Sequence, residues 1–191
     1  EQRAAYPLYR ATGQLPVHQH RIHRAADVEG DDIALHGRPA GFGIDPDQAA
    51  IDIAQAKAAR EETSATFKVA RFSQDAVSSW PKPTKATLCL VLHQVPLDEK
   101  LRLLRAIHST LDAGGILFIA DYSEQRSWLM RTLFRSTIQR LDGVSDTQPN
   151  ADGVLVPLMT QAGFAQIEEP AQFNTITGSI SILKGTKIGQ R

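Results

Sequence analysis

Residues 85–122, KATLCLVLHQVPLDEKLRLLRAIHSTLDAGGILFIADY, decide how the chain is read. The run from Ala86 to Leu92 is almost wholly apolar, the pattern of a strand covered on both faces in a parallel sheet, and a strand is expected over Thr87–His93. A turn at Pro96 follows. Asp98 is expected to cap the next helix, in which Leu101, Leu104, Ile107, His108 and Leu111 recur on one face at three- and four-residue steps. Gly114 and Gly115 end it, because glycine takes the left-handed conformation of a C-terminal cap at no steric cost. Ile116–Asp121 then repeats the buried-strand pattern. Strand, helix, strand of this length is a parallel crossover unit.

Working outward, 191 residues suit a single domain, 1–191, with a sizeable core. Lysine plus arginine equals aspartate plus glutamate, 21 each, so no net charge draws the chain to nucleic acid or to an anionic membrane. One cysteine, Cys89, excludes an internal disulfide and a cysteine zinc cluster, and fits a reducing, cytoplasmic setting. In a predicted strand it reads as a small buried hydrophobe. The apolar runs are too short to cross a bilayer, and no signal-peptide pattern opens the chain. The first residue is Glu1, read as a sign of a sequence short of the full unprocessed product.

Upstream, 1–29 reads as a helical lead-in. Its His18, His20 and His23 are poor metal ligands as a set, since positions i and i+2 face different sides of a helix. Ile33–His36 is the expected first strand and Phe42–Asp45 the second. Asp45 is expected to cap a helix that has Pro46 in its first turn, runs to about Arg60 and buries Ile51, Ile53, Ala54 and Ala58. Thr66–Ala70 alternates as a third strand, and 73–85 is a polar loop. Downstream, 127–153 reads as a helical insert or lid. Trp128, Leu129, Leu133, Phe134, Ile138 and Leu141 stand at helical spacing there, ahead of a turn-rich stretch from Asp142 to Gly153. Val154–Ala162 forms a helix stopped by Gly163, and two strands around Thr177-Gly178 close a hairpin. The alternation predicts an α/β fold: a Rossmann-like three-layer sandwich, its sheet mostly parallel with an antiparallel C-terminal hairpin.

Four pieces carry a resemblance: Gly43-Ile-Asp-Pro-Asp, Leu90-Val-Leu-His-Gln-Val-Pro, the run from Leu111 to Tyr122, and Asn150-Ala-Asp-Gly with Gln161-Ala-Gly-Phe. From about Gly30 to its end the chain resembles the class I S-adenosylmethionine-dependent methyltransferases, in particular the small-molecule group similar to ubiquinone and menaquinone methyltransferases. The resemblance implies methyl transfer, S-adenosyl-L-methionine as cofactor and a small-molecule acceptor as partner, with a homodimer left open. It places Asp45 on the ribose hydroxyls, Pro46 beside the adenosine, and Arg71 and Phe72 near the adenine. Cys89, Leu90 and His93 fall where the methionine part and the acceptor meet. His93 is the candidate general base, with packing or a local hydrogen bond as its other reading. Displacement from a sulfonium needs alignment and exclusion of water more than a catalytic triad.

The chain departs from that family at the first motif, a glycine-rich turn that lets backbone approach the cofactor. Here Ile33–His36 runs through Gly37-Arg-Pro-Ala-Gly41 directly into the second strand, short of the dozen or so residues a parallel crossover takes. Either residues between His36 and Phe42 are missing from the sequence at hand, or the gene lacks them and the two strands pair differently. The first is favoured, because the neighbouring elements would be hard to keep folded around such a deletion. The second would make the chain a non-catalytic methyltransferase-like binding or assembly domain. Arg71 departs too, since arginine has no acceptor for an adenine amino group. A nicotinamide oxidoreductase shares the acid of strand two, yet needs its own glycine fingerprint and explains the hairpin less well.

Overall fold

Phe42–Asp45 (β1) and Thr66–Val69 (β2) pair in parallel, Phe42 opposite Thr66 and Asp45 opposite Val69, with the helix Gln48–Arg60 (α1) crossing between them. These elements come from a computed structural model that describes residues 41–189. The expected lead-in helix, His18, His20, His23 and the strand at Ile33–His36 lie outside the described residues. The chain forms two compact units, with the boundary between Arg71 and Phe72. β1, α1 and β2 belong to the first. Alanine density favours α1, but its cap is Asp47, whose carboxylate accepts from Ala49 N at 2.9 Å. The chain takes one more extended residue after Pro46 before it turns, so the cap passes from the expected Asp45 to Asp47. Ile51 is buried while Ile53 is 71% exposed, because residues two apart point to different sides of a helix.

The second unit holds a four-stranded sheet in the order β3-β4-β6-β5. Lys85–Cys89 (β3) and Ile116–Tyr122 (β4) pair in parallel, joined through the helix Leu97–Thr110 (α2). Phe164–Thr175 (β5) and Gly178–Lys187 (β6) form the hairpin, and β6 lies antiparallel beside β4. Two of the described strand pairings are thus parallel and two antiparallel. The architecture is α/β and Rossmann-like, with mixed sheets and flanking helices. Leu104, Ile107 and Leu111 of α2 and its cap pack with Leu117 and Ile119 of β4 and with Leu155, Leu158 and Met159 of the helix Leu155–Gln161 (here numbered α6).

β3 is shorter than expected and covered differently. Ala86 and Leu88 pack on the core, whereas Lys85, Thr87 and Cys89 are exposed. Its ladder ends where Leu90 N donates to Ala120 O; Leu90 then turns through a left-handed φ of 54°, and Leu92–Gln94 forms a short 3-10 turn. His93 therefore sits in a turn rather than at the tip of a strand. Pro96, extended and without an N–H, takes the cap position of α2, which leaves Asp98 inside the first turn near the positive helix end.

The insert is three helices: Trp128–Ser136 (α3), Ile138–Asp142 (α4) and Val144–Ala151 (α5). Ser127 caps α3 by accepting from Met130 N. The break falls at Thr137, whose hydroxyl is taken by Leu133 O at 2.6 Å. Met130, Phe134 and Ile138, four residues apart, form the buried stripe, and the last two pack with Tyr122 and Ala151. Trp128, 77% exposed, and Leu141, also exposed, lie off that stripe. The turn-rich stretch expected after Asp142 is helical instead: burial of Thr147, Asn150 and Ala151 overrides weak local propensity.

Candidate functional site

β3 and β4 stop side by side, with Cys89 opposite Ala120, so their exits must be neighbours. Asp121 follows Ala120 on β4 and is fully buried. Its Oδ2 accepts from Leu92 N at 2.6 Å, and its Oδ1 accepts from Tyr122 N at 2.7 Å. The same Oδ1 lies 2.6 Å from His93 Nδ1. Three donors thus compensate a carboxylate that burial alone would penalise heavily.

His93 is 3% exposed. With Nδ1 facing the Asp121 carboxylate, the proton of a neutral ring belongs on Nδ1 and Nε2 is left as the basic nitrogen. Gln94 Nε2 lies 3.1 Å from that nitrogen and Asp142 Oδ2 3.5 Å from it. The imidazole stands between two carboxylates and meets the Tyr122 ring edge-on, centroids 5.0 Å apart. Partial burial raises the pKa of Asp142, while the electrostatic interaction with His93 opposes the rise. Burial also raises that of Tyr122; its hydrogen bond to Thr177, 2.6 Å, opposes this, and Asp121 and Asp142 add to the rise.

Lys100 extends the network. It is fully buried, and its Nζ donates to Val95 O and, at 2.7 Å, to Asp146 O. Burial drives its pKa down to about 8 against the favourable charges of Asp146 and Asp121. Asn150 Nδ2 donates to Tyr122 O at 2.8 Å. One ammonium and one carboxamide thereby tie α5 to the loop after β3 and to the end of β4.

The residues singled out from sequence fall in both units. Asp45 ends β1 half-buried; its Oδ1 accepts from Asp47 N at 2.8 Å, and Oδ2 has no hydrogen-bond partner among the described residues. Pro46 beside it is exposed, as is Arg71 at the end of the first unit. Phe72 is half-buried against the apolar core of the second unit. Cys89 is exposed, not the buried hydrophobe expected, because alternate residues of β3 point away from the core. Partial enclosure of its sulfur, and then Asp121, raise the thiol pKa, which keeps it from being a reactive thiolate. Leu90 is exposed and left-handed. Cys89, Leu90 and His93 are brought together around the exit of β3.

Sequence reasoning placed Asp121 only as the last residue of a buried strand and gave no role to Asp142 or Lys100. A signal for the first existed: His93 and Asp121 follow the two apolar runs of one crossover unit, whose carboxyl ends lie next to each other. No local pattern marks the other two.

No family model matches the chain, and no curated protein matches it in sequence. Solved structures do. A SAM-dependent methyltransferase from Methanosarcina mazei is similar at 20% identity and TM-score 0.54, over 79% of this chain and 83% of that one. Human N-acetylserotonin methyltransferase, solved with SAM, is similar at 19% identity and TM-score 0.52, over 78% and 40%. The N-methyltransferase NodS from Bradyrhizobium japonicum, solved with S-adenosyl-L-homocysteine, is similar at 12% identity and TM-score 0.54, over 76% and 65%. The chain spans less than half the length of several such neighbours. At these identities what is shared is the fold, that of the class I methyltransferases.

Proposed function

We propose that the chain, built on the class I methyltransferase fold, forms one methyltransferase-like domain that binds S-adenosyl-L-methionine and transfers its methyl group to a small-molecule acceptor. The observation that carries this reading is the buried Asp121–His93 pair at the carboxyl ends of two parallel strands, where open α/β sheets take their ligands. The fold shared with SAM-dependent enzymes supports the choice of cofactor. Bound there, the cofactor supplies an electrophilic methyl group on a sulfonium.

Residues present fit that group in part. In the first unit Asp45 carries an open carboxylate oxygen, held in orientation by Asp47 N, which suits a ribose hydroxyl, and Pro46 adjoins it in sequence. Cys89 and the left-handed Leu90, both exposed at the exit of β3, are the groups available there to the methionine part. Arg71 offers only donors, so it suits ring nitrogens of adenine rather than the amino group. Phe72, half-buried against the core of the second unit, leaves part of its ring open, which suits an apolar neighbour of the adenine.

In this reading His93 Nε2 takes a proton from an acceptor hydroxyl or amine as the methyl group arrives. Asp121 fixes the tautomer, and Asp142 stabilises the imidazolium that forms. The acceptor reaches Nε2 by exchanging with Gln94 or Asp142, which occupy its outlook. The lone thiol supports a reducing, cytoplasmic setting. No described helix is long and apolar enough to cross a membrane, and we assign neither a membrane nor a nucleic-acid partner; a homodimer is compatible with the reading.

A second reading, a non-catalytic binding or assembly domain, is favoured by two observations: the compressed stretch between His36 and Phe42, and the near-complete burial of His93. Isothermal calorimetry of the full chain with S-adenosyl-L-homocysteine decides between them. Saturable binding with a stoichiometry of about one supports the enzyme; no heat at millimolar ligand leaves the second reading.

A further inference from the structure

We infer that the hollow between α3 and α5 is an oxyanion subsite, taking a small carboxylate or phosphate head group on Arg131 and Arg135. That such an anion belongs to the methyl acceptor rests on the function proposed above; the anion site itself rests on geometry.

The hollow is lined by Arg131, Phe134, Arg135, Gln139, Gln148 and Ala151. Arg131 and Arg135 stand four apart on α3, so their guanidiniums reach the same side and repel each other by a few tenths of a kcal/mol unless an anion lies between them. The carboxylate within reach is already shared. Asp152 Oδ1 is 3.3 Å from Arg131 Nη1, yet both oxygens of Asp152 also accept from Gln148 Nε2 at 3.0 Å. Arg135 has no hydrogen bond or ion pair with any described residue. Among these groups two positive charges face one negative charge.

The wall opposite the arginines is fixed. Gln139, 5% exposed, donates from Nε2 to Gln148 Oε1 at 2.8 Å, and Gln148 passes the chain on to Asp152. Gln139 Oε1 has no hydrogen-bond partner among the described residues, so it is free to accept from a hydroxyl of the ligand, such as that of a phosphate monoanion. Size narrows the class further. The hollow is open and small, about 20 Å³, so it seats one or two oxygens of a head group whose remainder stays in solvent, and it does not enclose a nucleoside. Arginine, with its planar fork of donors, is the side chain suited to such a head.

The test is a thermal-shift titration of the full chain with inorganic phosphate and, separately, with acetate and benzoate, at constant ionic strength. Wild type is expected to show saturable stabilisation, and Arg131→Gln/Arg135→Gln to weaken apparent affinity at least tenfold. Arg140→Gln, an exposed arginine on α4, should behave as wild type. Stronger response to phosphate points to a phosphorylated ligand, and stronger response to benzoate to a carboxylate with an apolar body; either supports the site. Absence of saturation in wild type, or equal response in the double variant, overturns it. Should the double variant fold poorly, Arg135→Gln alone reads the same difference. Calorimetry with S-adenosyl-L-homocysteine runs in parallel: anion binding without nucleoside binding overturns the methyltransferase reading alone, and the reverse overturns the subsite alone.

Discussion

Replacing Lys100 by methionine separates the burial of a charge from the bonds that charge makes. The ammonium is fully enclosed, and its pKa falls from 10.5 to about 8. Between those values the unfolded chain holds a proton that the folded chain has released, so stability rises with pH across that window and is flat below it. At pH 7 the cost of keeping the charge buried is about 3 kcal/mol, from roughly 1.4 kcal/mol per pKa unit. Raising the pH to 9.5 relieves about 2 kcal/mol of it. Methionine removes this titration but leaves Val95 O and Asp146 O without their donor, at about 1–3 kcal/mol for each carbonyl left without another partner. Lys100→Met is therefore expected near parity with wild type at pH 7 and about 2 kcal/mol less stable at pH 9.5. Urea unfolding of both proteins at the two pH values measures the difference, in which shared titrations such as those of Tyr122 and Cys89 cancel. Parallel stability profiles would refute the claim that Lys100 titrates in the folded core.

Asp121→Asn keeps the shape but offers one acceptor oxygen where three donors converge; a loss of about 2–4 kcal/mol is expected in chemical denaturation, and a loss below about 0.5 kcal/mol would mean the pair with His93 does not hold the turn. Asp45→Ala is expected to weaken S-adenosyl-L-homocysteine binding at least tenfold in calorimetry while stability falls by less than about 1 kcal/mol, since Asp47 still caps α1. Phe134→Ala should cost about 3–5 kcal/mol because the ring is buried under Tyr122 and Ala151. Trp128→Ser, on an exposed ring, should stay within about 0.5 kcal/mol, and the reverse ranking by thermal melt would mean α3 packs through its other face.

Elements with long apolar periodicity were legible in the sequence. The crossover from β3 through α2 to β4 and the hairpin around Gly178 stand where the pattern puts them, because strand and helix periods of that length leave few alternatives. Boundaries set by single side chains were not. The cap of α1 moved from Asp45 to Asp47 through one extended residue, and β3 stopped at Cys89 because a carboxylate 29 residues from Leu92 claims that backbone N–H. α5 was hidden for a related reason, since Val144–Ala151 carries Pro149 and several polar residues and is helical only because its Thr147, Asn150 and Ala151 find burial. Of the candidate site, the type of His93 was readable, but its partner across β4 and the carboxylate on α4 are products of tertiary placement.

The position of β6 also dictates the timing of assembly. Its residues, 178–187, supply a neighbour to β4 along seven paired positions, so a ribosome must have synthesised them before that edge can be closed. Until then the nascent polypeptide carries an apolar ribbon, Ile116 to Tyr122, with unsatisfied amides along one margin, a template for association with other chains. Translation halted before Gly178 should yield a product that precipitates rather than a smaller folded one.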